Sequence, residues 1–162
     1  MTPPTKTESE TDRQIIIVRQ FDAPARVLFL AYSKPEHLKQ WFGPVGWPLT
    51  RCEMDFRVGG LYRFAMTGPD GAEGPLFGGE YLEIEPGKRL VYTNGFEAPG
   101  SPRFEVAITF DEAGGKTTLT MVSTFESKAV RDQYVELGFK EGTNSGLDQL
   151  AGVAAALQAK AD

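Results

Sequence analysis

The stretch that decides the fold is Ser127 to Lys160, SKAVRDQYVELGFKEGTNSGLDQLAGVAAALQAK. Apolar or small side chains recur within it at Val135, Phe139, Thr143, Leu147, Leu150, Ala154 and Leu157. Those steps of three and four draw one stripe along a helix of about nine turns. Ser127 carries the hydroxyl that an N-cap needs, and no proline follows it. Gly138, Gly142 and Gly146 repeat beside the stripe, each costing about 1 kcal/mol against alanine inside a helix. Two accounts of them stand side by side: the helix backbone packs closely on a sheet or kinks there, or the missing side chains leave room for a ligand. Either account requires a broad apolar surface opposite the stripe.

Upstream the period falls to two. Thr50–Phe56, Leu61–Thr67, Phe77–Glu85, Arg89–Asn94, Arg103–Asp111 and Lys116–Phe125 read as strands separated by short segments rich in glycine and proline, so consecutive strands pair antiparallel. Alternation assigns their faces: Tyr62, Phe64 and Met66 share one side of their strand, as do Phe104, Val106, Ile108 and Phe110, and Leu119, Met121, Ser123 and Phe125. That side is expected to face the long helix.

The chain's first half frames this sheet. Residues 1–12, MTPPTKTESETD, hold no large apolar side chain after Met1 and read as a disordered tail, which leaves one domain over residues 13–160. Arg13–Phe21 is a β-branched strand, and Asp22-Ala23-Pro24 stops it while supplying an N-cap and an early proline. A short helix follows with Val27, Leu28, Ala31 and Tyr32 on its apolar face, then a second over Glu36–Trp41. Trp41-Phe42-Gly43-Pro44-Val45-Gly46-Trp47-Pro48 sets three aromatics among two glycines and two prolines. It is a rigid loop too apolar to stand free in water, and it either plugs the core or forms the mouth of a binding cavity.

Composition narrows the function. With 162 residues, 41% of them hydrophobic, the chain makes one domain with a substantial core. A net charge of -5 and the absence of any Lys/Arg cluster argue against nucleic acid. Cys52 is the only cysteine, which excludes an internal disulfide and a cysteine-built zinc site. No signal or membrane-span pattern is present, so the reading is a soluble cytoplasmic protein.

The order of strand, two short helices, six antiparallel strands and a closing helix is an α+β helix-grip arrangement, a curved sheet of about seven strands wrapped around the final helix. The local sequence resembles one family in particular. Phe21 to Ala25 (FDAPA), Pro35 to Leu38 leading into Trp41-Phe42-Gly43-Pro44, Gly59 to Tyr62, Tyr81 to Leu90, and Gly138 to Leu150 together resemble the activator-of-Hsp90-ATPase-homologue family. That family belongs to the START-like, or Bet v 1-like, superfamily, and the match runs from about residue 13 to 158. The resemblance implies a hydrophobic cavity between sheet and helix. The namesake co-chaperone is matched in only one of its domains, and the family's usual aromatic after Glu141-Gly142 is Thr143 here.

Catalytic candidates are few. His37, the only histidine, reads as an exposed residue of a short helix, Cys52 as a small buried apolar side chain, and Glu53, Asp55, Glu80, Glu83 and Glu85 as solvated carboxylates. No catalytic residue, cofactor or metal is assigned. The leading expectation is a noncatalytic binder of a hydrophobic or aromatic small molecule; a polyketide-cyclase-like enzyme comes second and an Hsp90-associated partner third, and exposed sheet edges leave a homodimer open. The predicted cavity has Trp41, Phe42 and Trp47 at its mouth, Tyr62, Phe64, Val106, Met121 and Ser123 on the sheet, and Phe139 and Thr143 on the helix.

Overall fold

The computed structural model describes residues 6–161. Eight antiparallel strands form one open sheet: β1 (Lys6–Glu10), β2 (Gln14–Phe21), β3 (Leu49–Met54), β4 (Leu61–Met66), β5 (Phe77–Glu85), β6 (Arg89–Asn94), β7 (Phe104–Ala113) and β8 (Lys116–Phe125). Their order across the sheet is β1-β2-β8-β7-β6-β5-β4-β3. Helices α1 (Ala25–Ser33) and α2 (Pro35–Leu38) connect β2 to β3, and α3 (Lys128–Glu136) and α4 (Phe139–Ala161) close the chain. This is the expected α+β helix-grip fold. The alternation reading holds for Tyr62, Phe64, Phe104, Val106, Ile108, Phe110, Leu119, Met121, Ser123 and Phe125, all buried, and slips at the end of β4, where Ala65 is buried and Met66 is half-buried. No helix among the described residues is long and apolar enough to cross a membrane.

Four expectations need correction, each for a local physical reason. The tail reading fails for Lys6–Glu10, which pair antiparallel with β2 and raise the strand count from about seven to eight; residues 1–5 of that tail lie outside the described residues. The strand is held by main-chain pairing and polar clips, Lys140 Nζ to Glu10 at 2.6 Å and Asn144 Nδ2 to Glu8 at 2.7 Å, and not by apolar burial. A hydrophobicity argument has nothing there to detect.

The closing helix is two helices. Ser127 caps α3 as expected, its hydroxyl accepting from the Val130 N–H at 3.2 Å, but α3 ends at Leu137-Gly138. Gly138 sits at φ +88°, in the left-handed region that glycine reaches without a Cβ penalty, and its N–H closes a turn onto the Val135 carbonyl. The chain turns there and resumes as α4. A cluster of rings lies under this corner, with Phe104 against Phe125 at 4.8 Å and against Tyr134 at 4.9 Å between centroids, and Phe139 within 5.6 Å of Phe104.

Helix α1 starts after Pro24 without a side-chain cap of its own. Glu112 at the end of β7 takes the role expected of Asp22, its carboxylate accepting from the Ala25 N–H at 2.8 Å. Helix α2 is a single turn that ends at Leu38, so Trp41 belongs to the loop that follows.

Candidate binding cavity between helix and sheet

From Phe139, steps of three and four along α4 reach Gly142, Thr143, Gly146 and Leu147, one helical face. That face does not seat fully on the sheet. Between it and the inner ends of β6, β7 and β8 lies a cavity of about 270 Å³ whose wall includes Tyr92, Phe104, Val106 and Met121 from the sheet. The Leu137-Gly138 corner forms part of its rim.

The glycines serve two purposes. A Cβ on Gly146 would lie 3.3 Å from the Trp41 carbonyl oxygen and 3.4 Å from the Gly43 nitrogen, so the loop backbone presses on the helix at that point. At Gly142 the nearest atom, Pro44 Cδ, is 4.0 Å away, and the missing side chain leaves open space. The close packing expected against a sheet is therefore made against a loop, and the volume it leaves adjoins the cavity. Two hydrogen bonds clip the loop down: Gln149 Nε2 donates to the Gly43 carbonyl at 2.8 Å, and the Val45 N–H donates to Ser145 Oγ at 3.0 Å.

Six of the ten residues expected at the site line this cavity: Trp41, Phe42, Val106, Met121, Phe139 and Thr143. Trp41 is buried and fixed, its indole N–H donating to the Ala31 carbonyl at 3.1 Å and its ring meeting Tyr32 edge-on at 4.8 Å. Trp47 turns the other way. It is 41% exposed, and its ring covers Gly68, where a Cβ would come within 2.7 Å of it. The turns at Gly43 (φ +100°) and Gly46 (φ +89°) separate the two tryptophans.

Tyr62 and Phe64 are buried on the predicted face but line a separate, smaller void of about 20 Å³. The Phe42 ring stands beside them, 5.7 Å from Phe64 and 6.2 Å from Phe77, and separates Tyr62 and Phe64 from the main chamber, which β4 reaches only through Met66. The Tyr62 hydroxyl is already committed, donating to the Thr93 carbonyl at 2.7 Å. Ser123 is buried with an unpartnered hydroxyl and does not reach the wall of either void.

Sequence reasoning missed several lining residues. Met66 and Phe104 lay on faces already assigned inward, Leu147 lay on the stripe, and Tyr92, Asn94 and Phe96 continue a period of two out of β6. Those signals were present in the chain. Tyr32 is the less expected member: it sits on the apolar face of α1, lines both voids, and its hydroxyl is buried without a hydrogen-bond partner. Burial, reinforced by the neighbouring Tyr92, pushes that hydroxyl well above the usual phenol range, so it stays protonated and able to donate.

Among the described residues, no acid, base, histidine or cysteine side chain lines the main cavity. Glu53, Asp55, Glu80, Glu83 and Glu85 are exposed. Cys52 stays half-buried on β3, and burial pushes its thiol up to about 11, away from the thiolate that reactivity requires. His37 lies on α2, away from the cavity wall.

Comparison with known proteins bears on this arrangement. The family model described as activator of Hsp90 ATPase homolog 1-like protein matches residues 22–155. No curated protein matches the chain. Among solved structures, a protein from Arthrobacter aurescens superposes with a TM-score of 0.86 at 26% identity, covering 94% of this chain and 93% of that one. A Mycobacterium smegmatis protein gives 0.83 at 27% identity over 94% and 99% of the two chains. A Nitrosomonas europaea protein gives 0.83 at 25% identity over 93% and 99%.

Proposed function

The chain belongs to the activator of Hsp90 ATPase homolog 1-like family, and on that premise we propose that it is a noncatalytic binder of a small hydrophobic or aromatic molecule, held between α4 and the sheet. The observation that carries this reading is the cavity itself: about 270 Å³ of space walled largely by rings, methionines and glycines, a plainly apolar lining. Close-packed cores do not leave such room without cost, because every wall atom forgoes dispersion contacts. The volume lies just under the usual range of ligand pockets, about 300 to 1,000 Å³, so the occupant is compact. Its burial would contribute roughly 25 cal/mol per Å² of apolar area.

The lining favours binding over catalysis. Proton transfer near neutral pH calls for a carboxylate, imidazole or thiol beside the substrate, and the groups at this wall are hydroxyls, an amide and hydrocarbon. Burial also raises the Tyr92 hydroxyl above the usual phenol range, which makes it a poor acid.

The tryptophans supply the test. In Trp47→Phe, Trp41 is the only tryptophan left, since the chain has two. Titration with trans-1,2-dibromocyclohexane, a contact-range heavy-atom quencher, is expected to quench its emission saturably and to a larger fraction than in the wild type, where Trp47 outside the cavity still emits. Saturable quenching that vanishes with Trp47 would place the hydrophobe on the outer surface and refute the reading.

A further inference from the structure

Resting on the binding reading above, we infer that the chamber recognises an uncharged ligand along one edge, where Tyr92 and Asn94 on the inner face of β6 donate hydrogen bonds to an acceptor such as a ketone oxygen. The register of the sheet places this edge. Tyr92 lies opposite Val106 and Asn94 opposite Phe104 on β7, and all four belong to the cavity wall. Two residues apart on one strand, the two polar side chains leave the same face about 7 Å from each other, each about 5 Å from its apolar partner on β7. Beyond them the floor is hydrocarbon, through Phe104, Val106 and Met121. A flat ring seated on that floor presents its rim to β6.

Both groups are unspent. The hydroxyls of Tyr32 and Ser123 are closed off from open space, so a ligand reaches neither. That of Tyr92, which borders both voids, is not closed off and makes no hydrogen bond among the described residues, although only 8% of Tyr92 is exposed. Burial keeps it protonated, so it donates, and a buried donor left unmatched costs its full desolvation. Asn94 is oriented by the chain beside it: its Oδ1 accepts from the Gly95 N–H at 2.8 Å, which leaves the NH2 to donate elsewhere. Trp41 and Tyr134 have committed their donors to the Ala31 and Pro102 carbonyls, at 3.1 and 2.9 Å. Thr143 brings the remaining hydroxyl from α4, and a helical threonine can turn it onto the carbonyl four residues back with no ligand present. No cationic or anionic side chain among the described residues lines the chamber, so an ionised ligand would surrender its hydration with nothing to replace it. The space equals about nine liquid waters, room for a fused bicyclic ring with one short substituent.

The test compares three probes of one shape, 2-acetylnaphthalene, 2-isopropenylnaphthalene and 2-naphthoate, by titration calorimetry. The wild type is expected to bind the ketone about tenfold more tightly than the alkene, the worth of one buried neutral hydrogen bond, and the carboxylate weakest. The double variant Tyr92→Phe/Asn94→Leu should abolish the preference for ketone over alkene, whereas Thr143→Val and Tyr32→Phe should keep it. A second readout needs no variant, and it decides the matter if the double variant binds no probe. In difference infrared spectra, the carbon-13-labelled carbonyl of 2-acetylnaphthalene bound to the wild type should absorb below its position in hexane. A band at the hexane position would overturn the inference and leave the cavity reading standing. So would equal binding of ketone and alkene by the wild type, tightest binding of the carboxylate, a preference that survives the double variant, or one that disappears in Thr143→Val or Tyr32→Phe. Failure of all three probes to bind would overturn the cavity reading and the inference with it.

Discussion

Leu150→Ala is expected to lower the unfolding free energy by about 2 to 5 kcal/mol, seen as a reduced denaturant midpoint at an unchanged slope. Leu150 has no exposed surface, and it belongs to the half of α4 that packs tightly, with Leu147 and Ala154 at 1% exposure on the same face. Removing its branched end leaves a void that this packed neighbourhood cannot collapse into. Thr143, about two turns earlier in α4 and half-buried at the cavity wall, has no such neighbourhood, and Thr143→Ala should leave the midpoint nearly unmoved. A wild-type midpoint for Leu150→Ala would take that residue out of the core and misplace the register of α4 on the sheet.

Thr143→Trp is expected to abolish binding of neutral hydrophobes, a loss of about a hundredfold or more, while the protein stays folded. The threonine side chain borders the open space opposite Val106 and Met121, next to Gly142, where nothing crowds the helix. An indole introduced there has room to enter the chamber and would compete with the ligand for it, and expelling it again would cost about 3 kcal/mol of affinity, the hundredfold loss expected. Calorimetric titration of the variant with 2-acetylnaphthalene reads the effect, and its thermal unfolding curve reads the fold. Wild-type affinity in a folded Thr143→Trp would put the ligand somewhere else.

Much of this molecule was legible in the chain because the same physics writes both the pattern and the fold. Alternation placed Phe104, Val106, Ile108 and Phe110 inward, and the four-and-three stripe found Leu147, Leu150 and Ala154; these are the residues at 0–6% exposure. What failed to show was whatever does not depend on hydrophobic period. Strand β1 is polar and owes its place to pairing with β2 and to ion pairs on α3 and α4, such as Lys140 with Glu10. The break at Gly138 turns on one left-handed backbone angle, and a glycine in a helical pattern reads the same whether it kinks, packs or opens space.

The site was legible in outline for the same reason. That the loop from Trp41 to Pro48 must cover apolar surface follows from its composition, but which ring turns inward is settled by the turns at Gly43 and Gly46. Trp41 and Phe42 enter the interior while Trp47 covers Gly68 outside. Phe42 then divides the interior in two, so Tyr62 and Phe64 are inward-facing as alternation requires and yet belong to the smaller void.

The methionines offer the most direct reading of the central claim, that a small hydrophobic molecule occupies the space between α4 and the sheet. Met66 and Met121 line that space, whereas Met54 lies on β3 away from it. In protein labelled with carbon-13 at the methionine methyls, saturation with 2-acetylnaphthalene should move the Met66 and Met121 signals together along one binding curve and leave Met54 in place. Saturable binding that shifts Met54 and leaves Met121 unmoved would contradict the account.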